Sequence, residues 1–222
     1  AMASALPAGL APASAPGVAA GVTLDVPRYS QEIHSGQYPQ WDGGVEAWCS
    51  PTSTSMLVAY WGTGPTPADY SWVDPGYADP WVDHAARNTF DHSYDGCGNW
   101  PFNTAYAGRF GLDAFVTRLR SMAEAEQFIA AGIPLAVSAA FQKGQIPGLD
   151  YSTNGHLMVV AGFAADGGLL LNDPASPDDA SVRKAVGRPE FEAAWLSSSG
   201  GTVYVVHPPA TPLPTPPGQP NW

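Results

Sequence analysis

Cys49 lies in the stretch WCSPTSTSMLVAYW, directly before a Ser-Pro pair and a helix-patterned run, which predicts its sulfur at the first turn of a helix. Met56, Leu57, Tyr60 and Trp61 recur at roughly helical spacing, Pro51 suits the first helical position, and Gly62 can end the helix. Free N–H groups and the positive end of the helix dipole lower a thiol pKa from about 8.5 into the ~3.5–7.5 range, so thiolate is present at neutral pH. The chemistry of such a group is nucleophilic attack on a carbonyl. A cysteine opening a helix is also commonly a small buried hydrophobe, so the reading depends on partners.

The partners come much later, in NGHLMVVAGFAADGGLLLNDPA. His156 opens an apolar run to Phe163, the cluster Ala165-Asp166-Gly167-Gly168 breaks it, and a second run, Leu169 to Leu171, ends in Asn172-Asp173-Pro174. This pattern predicts a β-hairpin. With its turn near Ala165 to Gly168, antiparallel pairing returns Asp173 to within about one to three residues of the position opposite His156. An imidazole that takes the thiol proton and a carboxylate that fixes its tautomer complete the nucleophile, base and orienter set of covalent catalysis. Asn172 competes for the orienting place, because a one-residue slip exchanges the two side chains. Taken singly, His156 reads as a strand-end histidine and Asp173 as a turn residue ahead of Pro174.

The motifs VPRYSQ, WCSPTSTSM, GHLMVVAGF and NDPA together resemble the papain-like cysteine peptidases of the bacteriocin-processing (double-glycine) type. More narrowly, the chain is similar to exported actinobacterial relatives not attached to a transporter. GNWPFNTAYA, SMAEAEQFIAAGIPLAVS and FEAAWLSSSGGTVYVV extend the resemblance from about Leu24 to Pro208. It implies an α+β papain-like fold, with Cys49 as nucleophile, His156 as base, Asp173 as orienter and Gln31 as oxyanion-hole side chain. Attack on an amide also requires such a donor on chemical grounds, beside the Cys49 backbone N–H. By position alone, Gln37 and Gln40 compete with Gln31.

The elements that must position these groups follow from local signals. Pro101 to Phe110 reads as a helix followed by Gly111, and Ser121 with Glu124 forms a capping box for a helix through Ala131 that Gly132 ends. Ile133 to Ala140, His156 to Phe163, Gly168 to Leu171 and Thr202 to Val206 read as strands, with a further helix from about Pro189 to Leu196. Helices followed by mainly antiparallel strands give an α+β class. The cleft is expected between the Cys49 helix and the sheet carrying His156. Gly64 to Trp100 reads as a large irregular loop whose Tyr70, Trp72, Tyr77, Trp81 and Tyr94 either wall the cleft or pack the loop down. Its Asp69, Asp74, Asp79, Asp83, Asp91 and Asp95 lack EF-hand spacing, so no metal is expected, and no cofactor is implied.

Of 222 residues, 45% are hydrophobic and 13% charged, which suits a single domain with a substantial core, placed at residues 23–208. Residues 1–22, rich in Ala, Pro and Gly, and the Pro-rich residues 209–222 read as tethers. A net charge of −11 argues against nucleic acid and anionic membrane surfaces, and no run approaches a membrane span. A peptide or protein substrate, a monomeric state and a secreted or wall-associated location are the matching expectations, with the export signal absent from the sequence. The two cysteines invite a Cys49–Cys97 bridge, which would close a loop of about fifty residues, contribute roughly 4 kcal/mol and abolish the nucleophile. Three functions compete: a thiol hydrolase of peptide or amide bonds, an acyl transferase or stem-peptide amidase on the same triad, and a non-enzymatic peptide- or wall-binding protein with Cys49 locked.

Overall fold

The structure, a computed structural model, describes residues 17–43, 47–216, 218 and 220–222. In chain order its elements are α1 (Cys49–Tyr60), α2 (Pro80–Thr89), α3 (Trp100–Gly108), β1 (Asp113–Arg118), α4 (Met122–Ala130), β2 (Leu135–Phe141), β3 (Thr153–Phe163), β4 (Leu169–Asn172), β5 (Arg183–Val186), α5 (Arg188–Ser199) and β6 (Thr202–His207). The strands form one sheet in the order β1-β6-β2-β3-β4-β5, with every neighbouring pair antiparallel. Helices α1 and α3 lie on one face and α4 and α5 on the other, giving the α+β arrangement expected.

Period-2 alternation of apolar side chains decides which face each helix covers. Leu135, Val137, Met158, Val160, Val203 and Val205 point into the core with Phe128, Ile129, Phe191 and Trp195 of α4 and α5. Their neighbours Ala136, Leu157, Val159, Ala161, Tyr204 and Val206 point the other way, against Met56, Leu57 and Val58 of α1 and Ala107 of α3. Both faces of the central strands are therefore apolar, so β3 reads as a nearly continuous hydrophobic run rather than an alternating one.

Helix α1 departs from the amphipathic reading, because Cys49 to Val58 are buried all round. Its small polar residues allow close approach, and Ser50, Ser53, Thr54 and Ser55 find partners inside the protein while Thr52 Oγ1 is buried without one. Ser50 Oγ lies 2.8 Å from Tyr204 Oη, Ser53 Oγ donates to Leu157 O at 3.0 Å, and Ser55 Oγ donates to Trp81 O at 3.2 Å. The helix begins at Cys49, so Pro51 is its third residue rather than its first. Its missing N–H costs nothing there, since the first turn has no intrahelical acceptors for its donors.

The capping box forms in part. Ser121 Oγ accepts from Glu124 N at 3.4 Å, while the Glu124 carboxylate takes the Arg120 N–H at 2.8 Å. The segment read as an irregular loop contains α2, which Pro80 opens, and β1 and β5 were not anticipated. Each is short and has too few apolar residues to signal an element alone. Its aromatics divide between the two readings: Trp72 and Tyr77 stack against Tyr38, and Trp81 packs toward α1, whereas Tyr94 lines a cavity beside Cys49. Among the described residues, no helix is long and apolar enough to cross a membrane.

Of the amino-terminal tether, residues 1–16 lie outside the described residues, while Gly17 to Val22 run beside β3, with Gly21 N bonded to Phe163 O at 3.0 Å. At the carboxyl end, Trp222 stacks edge-on against Phe128 at 5.0 Å. Among the bonds that hold the chain leading to Gln31 are Leu24 N to Ala161 O and Phe163 N to Val22 O, each 2.8 Å. Gly162 makes that close approach possible, since a Cβ there would lie 2.4 Å from Val22 O and 2.8 Å from Thr23 Cα. Gly162→Ala is expected to destabilise the fold by about 2 kcal/mol, with faster amide exchange at Leu24 and Phe163. Thermal unfolding and hydrogen exchange measure both effects.

Candidate active site

Helix α1 packs on β3, bringing Cys49 to the strand that carries His156. The β3–β4 register pairs Val159 with Asn172, and one further step places Asp173 across from Met158, two residues from His156. This offset falls within the range expected from the hairpin. His156 Nε2 lies 2.8 Å from Asp173 Oδ1, which leaves Nδ1 as the ring nitrogen available to the sulfur. Cys49 and His156 are near enough for each to shift the other's titration.

Asp173 is fully buried, and its two oxygens divide their partners. Oδ1 accepts from His156, from Tyr151 Oη at 3.2 Å and from Ala175 N at 3.0 Å, whereas Oδ2 accepts from Lys184 Nζ at 2.8 Å. Burial favours the neutral acid, but the hydrogen bond and charge of His156, together with Lys184, outweigh it and hold the carboxyl well below its ordinary range. Burial likewise works against the imidazolium. It is overcome by the Asp173 and Cys49 interactions, which raise the His156 pKa well above 6.5. For Cys49, burial raises the pKa, but the His156 hydrogen bond and charge, with backbone bonds from Leu157 and Ser50, bring it below the usual thiol value.

These opposite shifts favour one charge distribution, thiolate beside imidazolium. The pair exists above the lowered thiol pKa and below the raised imidazole pKa, so its pH window is widened on both sides. Isolated groups near ~8.5 and ~6.5 would have almost no such window.

Asn172 bonds elsewhere than to His156. Its Nδ2 donates to Pro27 O at 2.8 Å and its Oδ1 accepts from Arg183 Nε at 2.5 Å, so it ties the amino-terminal segment to β5. Of the three glutamines, Gln37 Oε1 bonds to His34 Nδ1 at 2.8 Å, and Gln40 is exposed. Gln31 is buried, shares a cavity with His156, and is tied by its backbone N–H to Pro174 O at 2.9 Å. Gln31 Nε2 donates one bond to Glu32 Oε1 at 3.3 Å and has a second hydrogen to offer. The Cys49 backbone N–H stands at the first position of α1, where it has no intrahelical acceptor.

Two cavities flank this constellation. One of about 540 Å³ is lined by Cys49, Tyr94, Cys97, Trp100, Ala139 and Leu157. The other, of about 580 Å³, is lined by Gln31, Glu32, Tyr151 and His156. Asn154 and Gly155 belong to both, so one cleft crosses the junction of α1 and β3.

The Cys49–Cys97 bridge does not form: both thiols are free. Cys97 is buried beside Trp48, Val82 and Ala86, with Sγ directed to Ala86 O at 3.5 Å. Burial pushes its pKa strongly upward, and the charges of Asp42 and Cys49 add to this, which disfavours its thiolate. Tyr151 and Lys184 were not among the residues singled out from the sequence. Recognising RKAV as a strand paired to LLLN would have placed Lys184 near Asp173.

A sheet with α1 on one face, and cysteine and histidine meeting where helix and strand cross, defines a cysteine peptidase of papain-like fold. The chain belongs to the Peptidase_C39 like family, whose profile matches residues 23–203. A solved double-glycine-motif protease from an AMS/PCAT transporter, in complex with its leader peptide, is similar in fold: 17% identity, 84% of this chain and 94% of that one covered, TM-score 0.50. Interpain A, a cysteine protease of Prevotella intermedia, aligns at 14% identity and TM-score 0.43 over 81% of this chain and 93% of its own. No curated protein matches by sequence.

The unlike environments of the two thiols generate a direct expectation. At pH 6 without reductant, iodoacetamide labels Cys49 and leaves Cys97 unmodified, and His156→Ala slows Cys49 labelling by about 10²-fold. Intact mass and peptide mapping measure both.

Proposed function

We propose that the protein is a secreted thiol hydrolase that cleaves peptide or amide bonds through Cys49, His156 and Asp173. The reading is carried by one observation, the buried 2.8 Å bond between His156 and Asp173, to which the opposite pKa shifts of Cys49 and His156 add support. The Cys49 thiolate attacks the scissile carbonyl carbon, and the carbonyl electron pair moves to oxygen. Gln31 Nε2 and the Cys49 backbone N–H donate to that oxyanion. As the tetrahedral intermediate collapses, the C–N bond breaks and the His156 imidazolium gives its proton to the leaving amine. A thioester remains. Water then attacks it with His156 as base, releasing the carboxylic acid and restoring the ion pair.

Asp173 keeps its charge throughout. It fixes the imidazole by bonding Nε2, so that Nδ1 faces the sulfur in both half-reactions. The cavities on either side of the Cys49–His156 pair provide room for the acyl and amine portions of an extended peptide. The solved relative's complex with a leader peptide supports a peptide substrate here. All these groups come from one chain, in keeping with a monomeric enzyme. Export rests on the resemblance to exported relatives alone.

In a peptide-library digest read by mass spectrometry, the wild type is expected to generate new carboxyl termini and Cys49→Ala none, with the fold retained. Equal cleavage by both would overturn the assignment. Gln31→Ala is expected to lower kcat by about 10²–10³-fold. Asp173→Asn is expected to lose more activity than Asn172→Ala, whose effect falls on stability; the reverse ranking would move the orienting role to Asn172. Product that forms only when an amine is added would assign acyl transfer instead of hydrolysis.

A further inference from the structure

We propose that Lys184 is a positioning residue of this site, clamping the Asp173 carboxylate that orients His156 and supplying a positive charge that favours the Cys49 thiolate. The proposal rests on the triad reading above. Lys184 stands on the edge strand β5, opposite Leu171 in the β4–β5 register. An edge-strand lysine ordinarily extends into solvent, where it discourages pairing with another sheet. Here the side chain is turned inward. It is only 24% exposed, its Nζ meets a carboxylate that is 0% exposed, and it passes over the Tyr151 ring at 5.9 Å from the centroid.

The division of the Asp173 oxygens gives this contact its importance. Three donors, from His156, Tyr151 and the Ala175 backbone, converge on Oδ1, and Lys184 holds Oδ2. A carboxylate pinned at one oxygen pivots about it, and with it the direction in which Nε2 is held. Clamping the second oxygen fixes the carboxylate plane and therefore the aim of Nδ1 at the sulfur. Tyr151 donates to Asp173 and has its ring under the Lys184 ammonium, so it bridges the two sides of the clamp.

Charge gives the second reason. The chain carries a net charge of −11, and the two cavities are lined by Glu32, Asp42 and Asp95 with no lysine or arginine among the described lining residues. The ionisable groups facing Asp173 and His156 are Cys49 from α1, Tyr151 from the loop before β3 and Lys184 from β5, with Glu32 further out beside Gln31. A thiolate in that negative field needs compensation beyond His156. Lys184 places a cation against Asp173, so removing it makes loss of a proton harder for thiol and imidazolium alike. Both pKa values must then rise.

The test is the pH dependence of the rate of Cys49 alkylation by iodoacetamide, which needs no substrate. Wild type, Lys184→Met, Lys184→Gln and Lys184→Arg are compared between pH 4 and 10, with thermal melts to establish that each is folded. The midpoint of the acid limb is expected to move upward by about 0.5–1 unit in Lys184→Met and Lys184→Gln and to stay near the wild-type value in Lys184→Arg. Unchanged midpoints in the Met and Gln variants, with an activated wild type, would overturn the role of Lys184 and leave the triad reading intact. A slower rate without a shift counts the same way, since that is what a merely structural lysine gives. A wild-type midpoint at the ordinary thiol value would overturn the triad reading and this proposal with it.

Discussion

The hydrogen bond between His156 Nε2 and Asp173 Oδ1 holds the rest of the site in place. A buried carboxylate and a buried imidazole are each costly to desolvate, and neither is tolerable as a lone charge. Joined at 2.8 Å, they stabilise one another and leave a single ring nitrogen facing Cys49. In the proposed charge state the sulfur completes an alternating chain of lysine, carboxylate, imidazolium and thiolate. The chain runs from β5 through the segment after β4 to β3 and α1, so four elements must dock in register before it exists.

The sheet provides that register. Both faces of β2, β3 and β6 are apolar, and the alternating side chains lock α1 on one face and α4 with α5 on the other. Slipping β3 by one residue would exchange the two cores and carry His156 away from Asp173. The serines and threonines of α1 complement this arrangement. They let a fully buried helix lie close to β3, and Ser53 fastens it to Leu157, the residue next to His156. Asn172 has a corresponding duty on the other side, tying the amino-terminal segment that delivers Gln31 to the strand pair that delivers Asp173.

Much of this was legible from local signals. The hairpin from His156 to Asp173 announces itself by two apolar runs and an Asp-Gly-Gly break, and Cys49 by its place before a Ser-Pro pair. What the sequence left open were choices that depend on a third element. Asp173 and Asn172 are neighbours, and only the engagement of Asn172 with Pro27 and Arg183 separates them. Gln31 and Gln37 separate because His34 occupies Gln37. Strand β5 escaped notice because RKAV has too few apolar residues to read as a strand, and with it went the contact of Lys184. The Cys49–Cys97 bridge was a reasonable expectation from a count of two, but Cys97 packs into its own small cluster with Trp48, Val82 and Ala86. The helix inside the Trp- and Tyr-rich segment was masked by the turns around it.

The mechanism requires Cys49 and His156 to be charged together in the resting protein, a state that the ultraviolet absorbance of the thiolate reports. Difference titration of the wild type against Cys49→Ala isolates the signal of this one sulfur. Thiolate absorbance already present at pH 6, and lost only on further acidification, is the predicted result. Absorbance that appears only near the ordinary thiol value of about 8.5, or that persists unchanged in Cys49→Ala, would contradict the ion pair and the mechanism built on it.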